Sequence, residues 1–164
     1  MRWLLPPWLA RVAYWLRAHL ESIPYTILAL PLRLAVATVF WNSGMTKLAD
    51  WNATLALFSD EYSLPVLPPA IAAHMAAAIE LTTPVLLILG LMTRAAAFVL
   101  LGMTTVIEVF VYPEAWPTHI QWAAMLLVLL CRGAGGLSLD QLIFGRNAAR
   151  LMPRVHGLNS SEVA

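Results

Sequence analysis

Between Tyr25 and Cys131 the chain carries a succession of apolar runs that leave few choices of fold. Crossing a hydrocarbon core of about 30 Å takes about 20 mostly apolar residues in a helix. Four segments meet this length or approach it: Tyr25 to Gly44, Ala70 to Met92, Ala95 to Tyr112, and a shorter one from His119 to Cys131. Trp116 and Arg132 flank the last as interfacial ends. None alternates with period two, and a barrel takes eight strands or more. Lipid offers the backbone no hydrogen bonds, so the runs must be helices. Composition agrees: 60% of the residues are hydrophobic and 12% charged, against about 25% charged in an ordinary soluble domain. That is too little charge to coat a water-facing surface, and too much apolar content for a disordered chain. A net charge of +1 gives no electrostatic case for nucleic acid. Cys131 is the single cysteine, so neither an internal disulfide nor a Cys-x-x-Cys pair can form. The expected fold class is all-α, an integral membrane four-helix bundle with an N-terminal interfacial amphipathic helix. Residues 1–24 form that helix, 25–143 the four-transmembrane-helix domain, and 144–164 a basic cytoplasmic tail.

The basic residues set the orientation. Arg2, Arg11 and Arg17 precede the first span, Arg94 lies between the second and third, and Arg132, Arg146, Arg150 and Arg154 follow the fourth. Eight of the ten basic residues thus fall on one side, while Lys47 stands on the other with Asp50, Asp60, Glu61 and Glu114. Both termini are expected in the cytoplasm of a bacterial inner-membrane, multi-pass protein. The first segment lacks the clean apolar run and small-residue cleavage site of a signal peptide. Its Arg11, Tyr14, Ala18 and Glu21 form a polar stripe, with Trp8, Leu9, Val12, Trp15, Leu16 and Leu20 covering the rest. That pattern reads as a helix lying on the membrane surface. In the outer loop Trp51, Leu55, Phe58 and Tyr62 recur at helical spacing and predict a second short helix, before Pro65, Pro68 and Pro69 stiffen the entry to span two.

Three ionisable residues fall inside the spans: Arg33, Glu80 and Glu108. A charge near the bilayer centre costs about 2.5–3.5 kcal/mol on insertion scales, so it is seldom idle. At about 1.5 Å of rise per residue, Arg33 and Glu80 differ in depth by about 6 Å, within reach of a guanidinium. A bidentate Arg33–Glu80 ion pair is therefore expected, either stapling two helices or forming a ligand site with a proton-exchanging carboxylate. Glu108 has no basic partner at its own depth. With Lys47, His74 and His119 it defines an outer polar pocket, rimmed by Trp41, Trp51, Tyr112, Trp116 and Trp122. His74, Glu108 and His119 are ligand types for a metal, but no spacing signature joins them, so neither metal nor haem is expected. Asp140 and Ser138 are candidate caps for the helix start that follows the glycine turn.

These residues carry a resemblance. Arg33, then Phe40-Trp41-Asn42-Ser43-Gly44 and Lys47, then Glu80 with Leu86-Leu87-Ile88-Leu89-Gly90-Leu91-Met92-Thr93-Arg94, are followed by Val111-Tyr112-Pro113, Trp116, His119 and Trp122, and by Gly133-Ala134-Gly135-Gly136-Leu137-Ser138-Leu139-Asp140. In this order they resemble the DoxX family of small four-helix membrane proteins, over about residues 31 to 143. Within it, the Glu61-Tyr62 loop with its prolines and the Val111 to Trp122 stretch look most like the subgroup encoded beside enzymes that mature copper-binding peptides. The chain departs from the family at Gly133-Ala134-Gly135-Gly136, where a Gly-Pro-Gly run is usual. The resemblance implies redox work in company: the founding member looks like a small subunit of a thiosulfate:quinone oxidoreductase, and others are implicated in oxidative-stress complexes. It implies a non-autonomous membrane subunit, a homo-oligomer or a hetero-complex with redox or peptide-maturation proteins, with a quinone or other small molecule beside Arg33 and Glu80. A proton- or cation-coupled transporter component using Glu80 and Glu108, and a scaffold without chemistry, are the alternatives. No flavin or nucleotide motif occurs, so catalysis by the chain alone stays open.

Overall fold

The computed structural model describes residues 6–62, 65 and 67–145, and among them there is helix and no strand. The basic tail expected from residue 144 lies, from residue 146 onward, outside the described residues. Helix α1 (Pro7–Glu21) opens on a proline at its first position, where no N–H is needed. It carries Trp8, Val12, Trp15, Leu16 and Leu20 exposed. Helix α2 (Tyr25–Ala49) stops at Asp50, whose carboxylate accepts the Ala53 N–H at 2.9 Å and so starts α3 (Trp51–Leu57). A π-helical turn, Phe58–Tyr62, completes the outer helix expected from the aromatic spacing. Helix α4 (Pro69–Leu89) and helix α5 (Thr93–Val106), which continues as a π-helical turn over Ile107–Val111, are joined by three residues. Helix α6 (Trp116–Arg132) follows.

Three of these stretches are long and apolar enough to cross a membrane: Tyr25–Ala49, Pro69–Leu89 and Thr93–Val111. They match the first three expected spans to within five residues at every end. The run expected at His119–Cys131 lies inside α6, which has 17 residues.

The long helices close a ring in which α2 packs on α4 and α6, and α5 packs on the same two. Lipid is as apolar as leucine, so burial of hydrocarbon drives this association weakly; close packing and polar satisfaction must hold it. Val36, Ala37 and Phe40 of α2 meet Leu87 of α4, Ala96, Ala97 and Leu100 of α5, and Leu126 and Leu129 of α6. A second cluster seats Phe58 on Ala72, Ala73 and Ala76. A methyl added at Gly44 would come within about 3.0 Å of Leu81, so that glycine sets the spacing of α2 and α4.

The turn between α4 and α5 shows how polar ends are satisfied here. Gly90 takes the left-handed conformation (φ +66°), with Leu91 N–H on the Leu86 carbonyl and Gly90 N–H on that of Leu87, a Schellman closure. Met92 follows with φ +49° and no cap of its own. Asp140 supplies one from the distant chain: its Oδ1 accepts Met92 N–H at 2.8 Å and its Oδ2 accepts Thr93 N–H at 3.1 Å. Asp140 thus caps α5, not the helical turn that follows it. Ser138 performs that local duty, accepting the Gln141 N–H at 3.2 Å.

Candidate functional site

The two central charges do not meet. Arg33 and Glu80 are both 2% exposed, yet each has a different set of partners. The expected Arg33–Glu80 ion pair is absent, and the reason is the direction of the Cα–Cβ bond. Side chains on a helix lean toward its N-terminus. Helices α2 and α4 run antiparallel, so Arg33 leans toward the Gly90 end while Glu80 leans toward the α3 end. A difference in depth that a long side chain could span is therefore no sign of contact between two antiparallel helices.

Arg33 meets main-chain carbonyls instead. Its Nε donates to Leu87 O at 2.7 Å and Nη2 to Ile88 O at 2.6 Å. Nη1 donates to Ala134 O at 3.1 Å and to Leu137 O at 2.8 Å. The first two are among the carbonyls that the end of α4 leaves without intrahelical donors, and they carry the negative end of its dipole. The other two belong to the chain after α6. The guanidinium is a covalently anchored cap tying α2, α4 and the segment 133–138 together.

Glu80 sits about one carboxylate's reach from α2's far half. Lys47 and Ser43, four residues apart, share a face of α2 and converge on it. Ser43 Oγ donates to Oε1 at 3.0 Å, and Lys47 Nζ donates to Oε1 at 2.9 Å and to Ser43 Oγ at 3.0 Å. Lys47 Nζ also lies 2.7 Å from Oε2, so the ammonium bridges both carboxylate oxygens. Pro84, one turn beyond, has no N–H to give to the Glu80 carbonyl, which leaves the helix locally unpaired beside the carboxylate.

Opposite, the π-helical turn of α5 presents Glu108, whose Oε2 is 2.6 Å from Nδ1 of His119 on α6. Single π turns inside helices re-aim side chains and are frequent at functional sites. The His119 ring lies 5.1 Å from Trp122, which in turn stands edge-on to Phe40.

Between the two pairs lies a cavity of about 380 Å³. Ser43, Lys47, Glu80 and His119 are polar groups in walls otherwise made mostly of alanine, valine, isoleucine, methionine and aromatic side chains. Tyr62 and Tyr112 line it with rings nearly perpendicular, and Tyr112 Oη donates to Glu61. That bond pushes the Tyr112 hydroxyl well above the ordinary phenol range, and burial pushes Tyr62 up, so both remain protonated at physiological pH.

Of the outer polar pocket expected from sequence, Lys47 and His119 line the cavity and Glu108 stands behind His119. His74 does not belong to it: the residue is exposed, its Nδ1 bonds the Ala70 carbonyl at 2.7 Å, and its ring lies 4.5 Å from Trp51. Of the expected aromatic rim, Tyr112 and Trp122 line the cavity while Trp41 and Trp116 are exposed. Among the described residues no three His, Cys, Asp or Glu side chains converge as metal ligands. The Tyr112–Glu61 contact was not anticipated; Glu61-Tyr62 and Tyr112-Pro113 are separate short stretches whose meeting depends on how the outer loop folds back.

The model of the DoxX family matches residues 28–113 of the chain. A Haemophilus influenzae protein described only as uncharacterized is 32% identical over 139 residues, covering 76% of this chain and 88% of its own. No solved structure matches. The chain belongs to the DoxX family.

Proposed function

We propose that this DoxX protein binds a small, mainly apolar molecule with a hydrogen-bonding head, of the quinone class, in the cavity between Glu80 and His119. On this reading it serves as a non-autonomous membrane subunit of a redox or peptide-maturation complex. One observation carries it: an apolar chamber of about 380 Å³ into which a 2%-exposed carboxylate and a 5%-exposed imidazole are brought from opposite sides. Ligand sites have this composition, predominantly apolar with a few convergent polar groups, and volumes of about 300–1,000 Å³. Intramembrane carboxylates are costly and mark ligand or proton pathways. Arg33, expected at the ligand site from its depth, has its donors on carbonyls and takes no part.

Helix α6, at about 26 Å by its 17 residues, is read as a fourth span with Trp116 and Arg132 at the interfaces. The basic side, with Arg94 and Arg132, then faces the cytoplasm of a bacterial inner membrane. Helix α1, with its exposed Trp8, Trp15 and Leu20, lies on that leaflet.

The test is a cofactor inventory: extract the full chain in mild detergent, quantify bound quinones, and run E80Q and H119A alongside. A stoichiometric quinone in the wild type, lost in E80Q, is the expected result. A wild type that carries none, and takes up none of an added short-tailed quinone, overturns the proposal.

A further inference from the structure

The end of the bundle away from the chamber carries charge that the proposed function does not use. The first residues of α2 and α5 and the last of α4 and α6 meet there. Because Tyr25–Ala49, Pro69–Leu89 and Thr93–Val111 are each long and apolar enough to span, that end lies at a membrane surface. An open groove of about 710 Å³ crosses it. Two exposed guanidiniums, Arg94 of α5 and Arg132 of α6, stand in its walls and converge on Gly133. Arg94 Nη2 donates to Cys131 O in a long bond of 3.3 Å, and its Nε would lie 3.5 Å from a methyl added at Gly133. Arg132 Cζ is 5.3 Å from the centre of the Tyr25 ring, whose hydroxyl donates to Gly133 O at 2.9 Å. Among the described residues neither arginine forms an ion pair. The carboxylate in the groove, Asp140, has both oxygens committed to the start of α5. Arg33 lies beneath the same segment, with Nη1 on Ala134 O and Leu137 O, so three guanidiniums face one carboxylate there.

We infer that this groove binds an anionic phospholipid, with its phosphate seated between Arg94 and Arg132. The planar guanidinium fork matches phosphate oxygens two at a time, and basic pockets between spans at a membrane surface suit such headgroups. What sits one turn deeper points to a lipid rather than a free anion. Phe98 lies four residues beyond Arg94 on the same face of α5, and Val128 four residues before Arg132 on α6. Both are exposed, and α5 packs on α6. Acyl chains descending from a phosphate at the two arginines would cover Phe98 and Val128, which a free anion would leave bare. A lipid with a neutral polar headgroup keeps the full negative charge of its phosphate, whereas a choline headgroup brings its own cation and gains less from the surplus of arginine. None of these residues lines the chamber, so the site is separate from the one proposed above.

The full chain in a neutral detergent is titrated with phosphatidylglycerol and with phosphatidylcholine of identical acyl chains, and bound lipid is counted by native mass spectrometry. Phosphatidylglycerol is expected to bind at least about tenfold more tightly, the factor that one hydrogen bond to a charged group supplies. R94Q and R132Q should each reduce that ratio, and R94Q/R132Q should abolish it. Both side chains are exposed, so an unchanged unfolding temperature is expected; were the double variant to unfold, the single variants carry the test. R17Q removes an exposed arginine of α1 outside the groove and should leave the ratio as it is. Equal affinity for the two lipids overturns the inference. So does an R17Q protein that loses the preference as fully as R94Q, since general attraction to positive charge would then suffice. Inorganic phosphate that displaces phosphatidylglycerol at matching concentration marks a free-anion site and overturns the lipid assignment. No variant here touches the chamber, so each outcome leaves the proposed function to its own test.

Discussion

Arg33 and Glu80 are equally buried charges one helix apart, and they differ in what surrounds them. The guanidinium gives hydrogen bonds to four carbonyls drawn from two distant segments. The carboxylate is held by Ser43 and Lys47 from one face of α2 and lines a chamber. Main-chain carbonyls of two segments make Arg33 a structural tie, whereas an ion pair in a cavity wall makes Glu80 the candidate site. Burial and charge alone, the quantities that first single out both residues, do not separate them; the direction of each side chain and the count of its partners do.

The largest effect expected from breaking this contrast comes at Arg33. R33A removes four hydrogen bonds to carbonyls, two of them at a helix end, and should destabilise the protein by about 3–5 kcal/mol, the range for removing one partner of a buried charged group. Thermal unfolding in detergent measures it, and R33K, with fewer donors and no planar fork, should fall between. Next comes G90A. A Cβ there would lie 2.6 Å from Ser138 Cβ and 2.9 Å from Arg33 Nη2, at a φ of +66°, so a loss of about 1–3 kcal/mol is expected. D140A removes both caps from the start of α5 and should cost about 0.5–2 kcal/mol by the same unfolding assay. E80Q reverses the ordering of the two properties: a smaller loss of stability than R33A, with ligand binding weakened at least about tenfold. An R33A protein that unfolds no sooner than E80Q would erase the distinction. H74A is expected to change stability by no more than about 0.5 kcal/mol and binding not at all, since His74 is exposed and outside the cavity.

Much of this fold is legible in the sequence because it rests on length and pattern. Apolar runs locate α2, α4 and α5 to within a few residues, and Gly90 marks the end of α4. Glu108 and His119 fall by sequence in one polar pocket with Lys47 and His74, but their direct pairing is seen only in the folded chain. The pairing of Glu80 was misread for a definite reason. Counting rise along a helix locates Cα atoms, whereas Arg33 and Glu80 diverge by the lean of their side chains in opposite directions. The sequence does hold the clue to Glu80's true partners: Ser43 and Lys47 at a spacing of four share one face of α2. Arg33's partners leave no such trace, because a main-chain carbonyl belongs to every residue type. Asp140 escapes for a similar reason, since it caps a helix 47 residues away that is near only in the folded chain.

The Arg33 staple also has a mechanical side. It binds α2 to the last turn of α4 and to the chain leaving α6, while Asp140 locks that same chain to the start of α5. All four long helices are therefore clamped at one end, like ribs gathered at a pivot. The far end is tied differently, through side chains alone: Lys47 to Glu80, His119 to Glu108 and Tyr112 to Glu61. The chamber therefore sits among ties that titration or substitution of a single side chain can undo, while the opposite end is fastened to main-chain groups that no substitution removes.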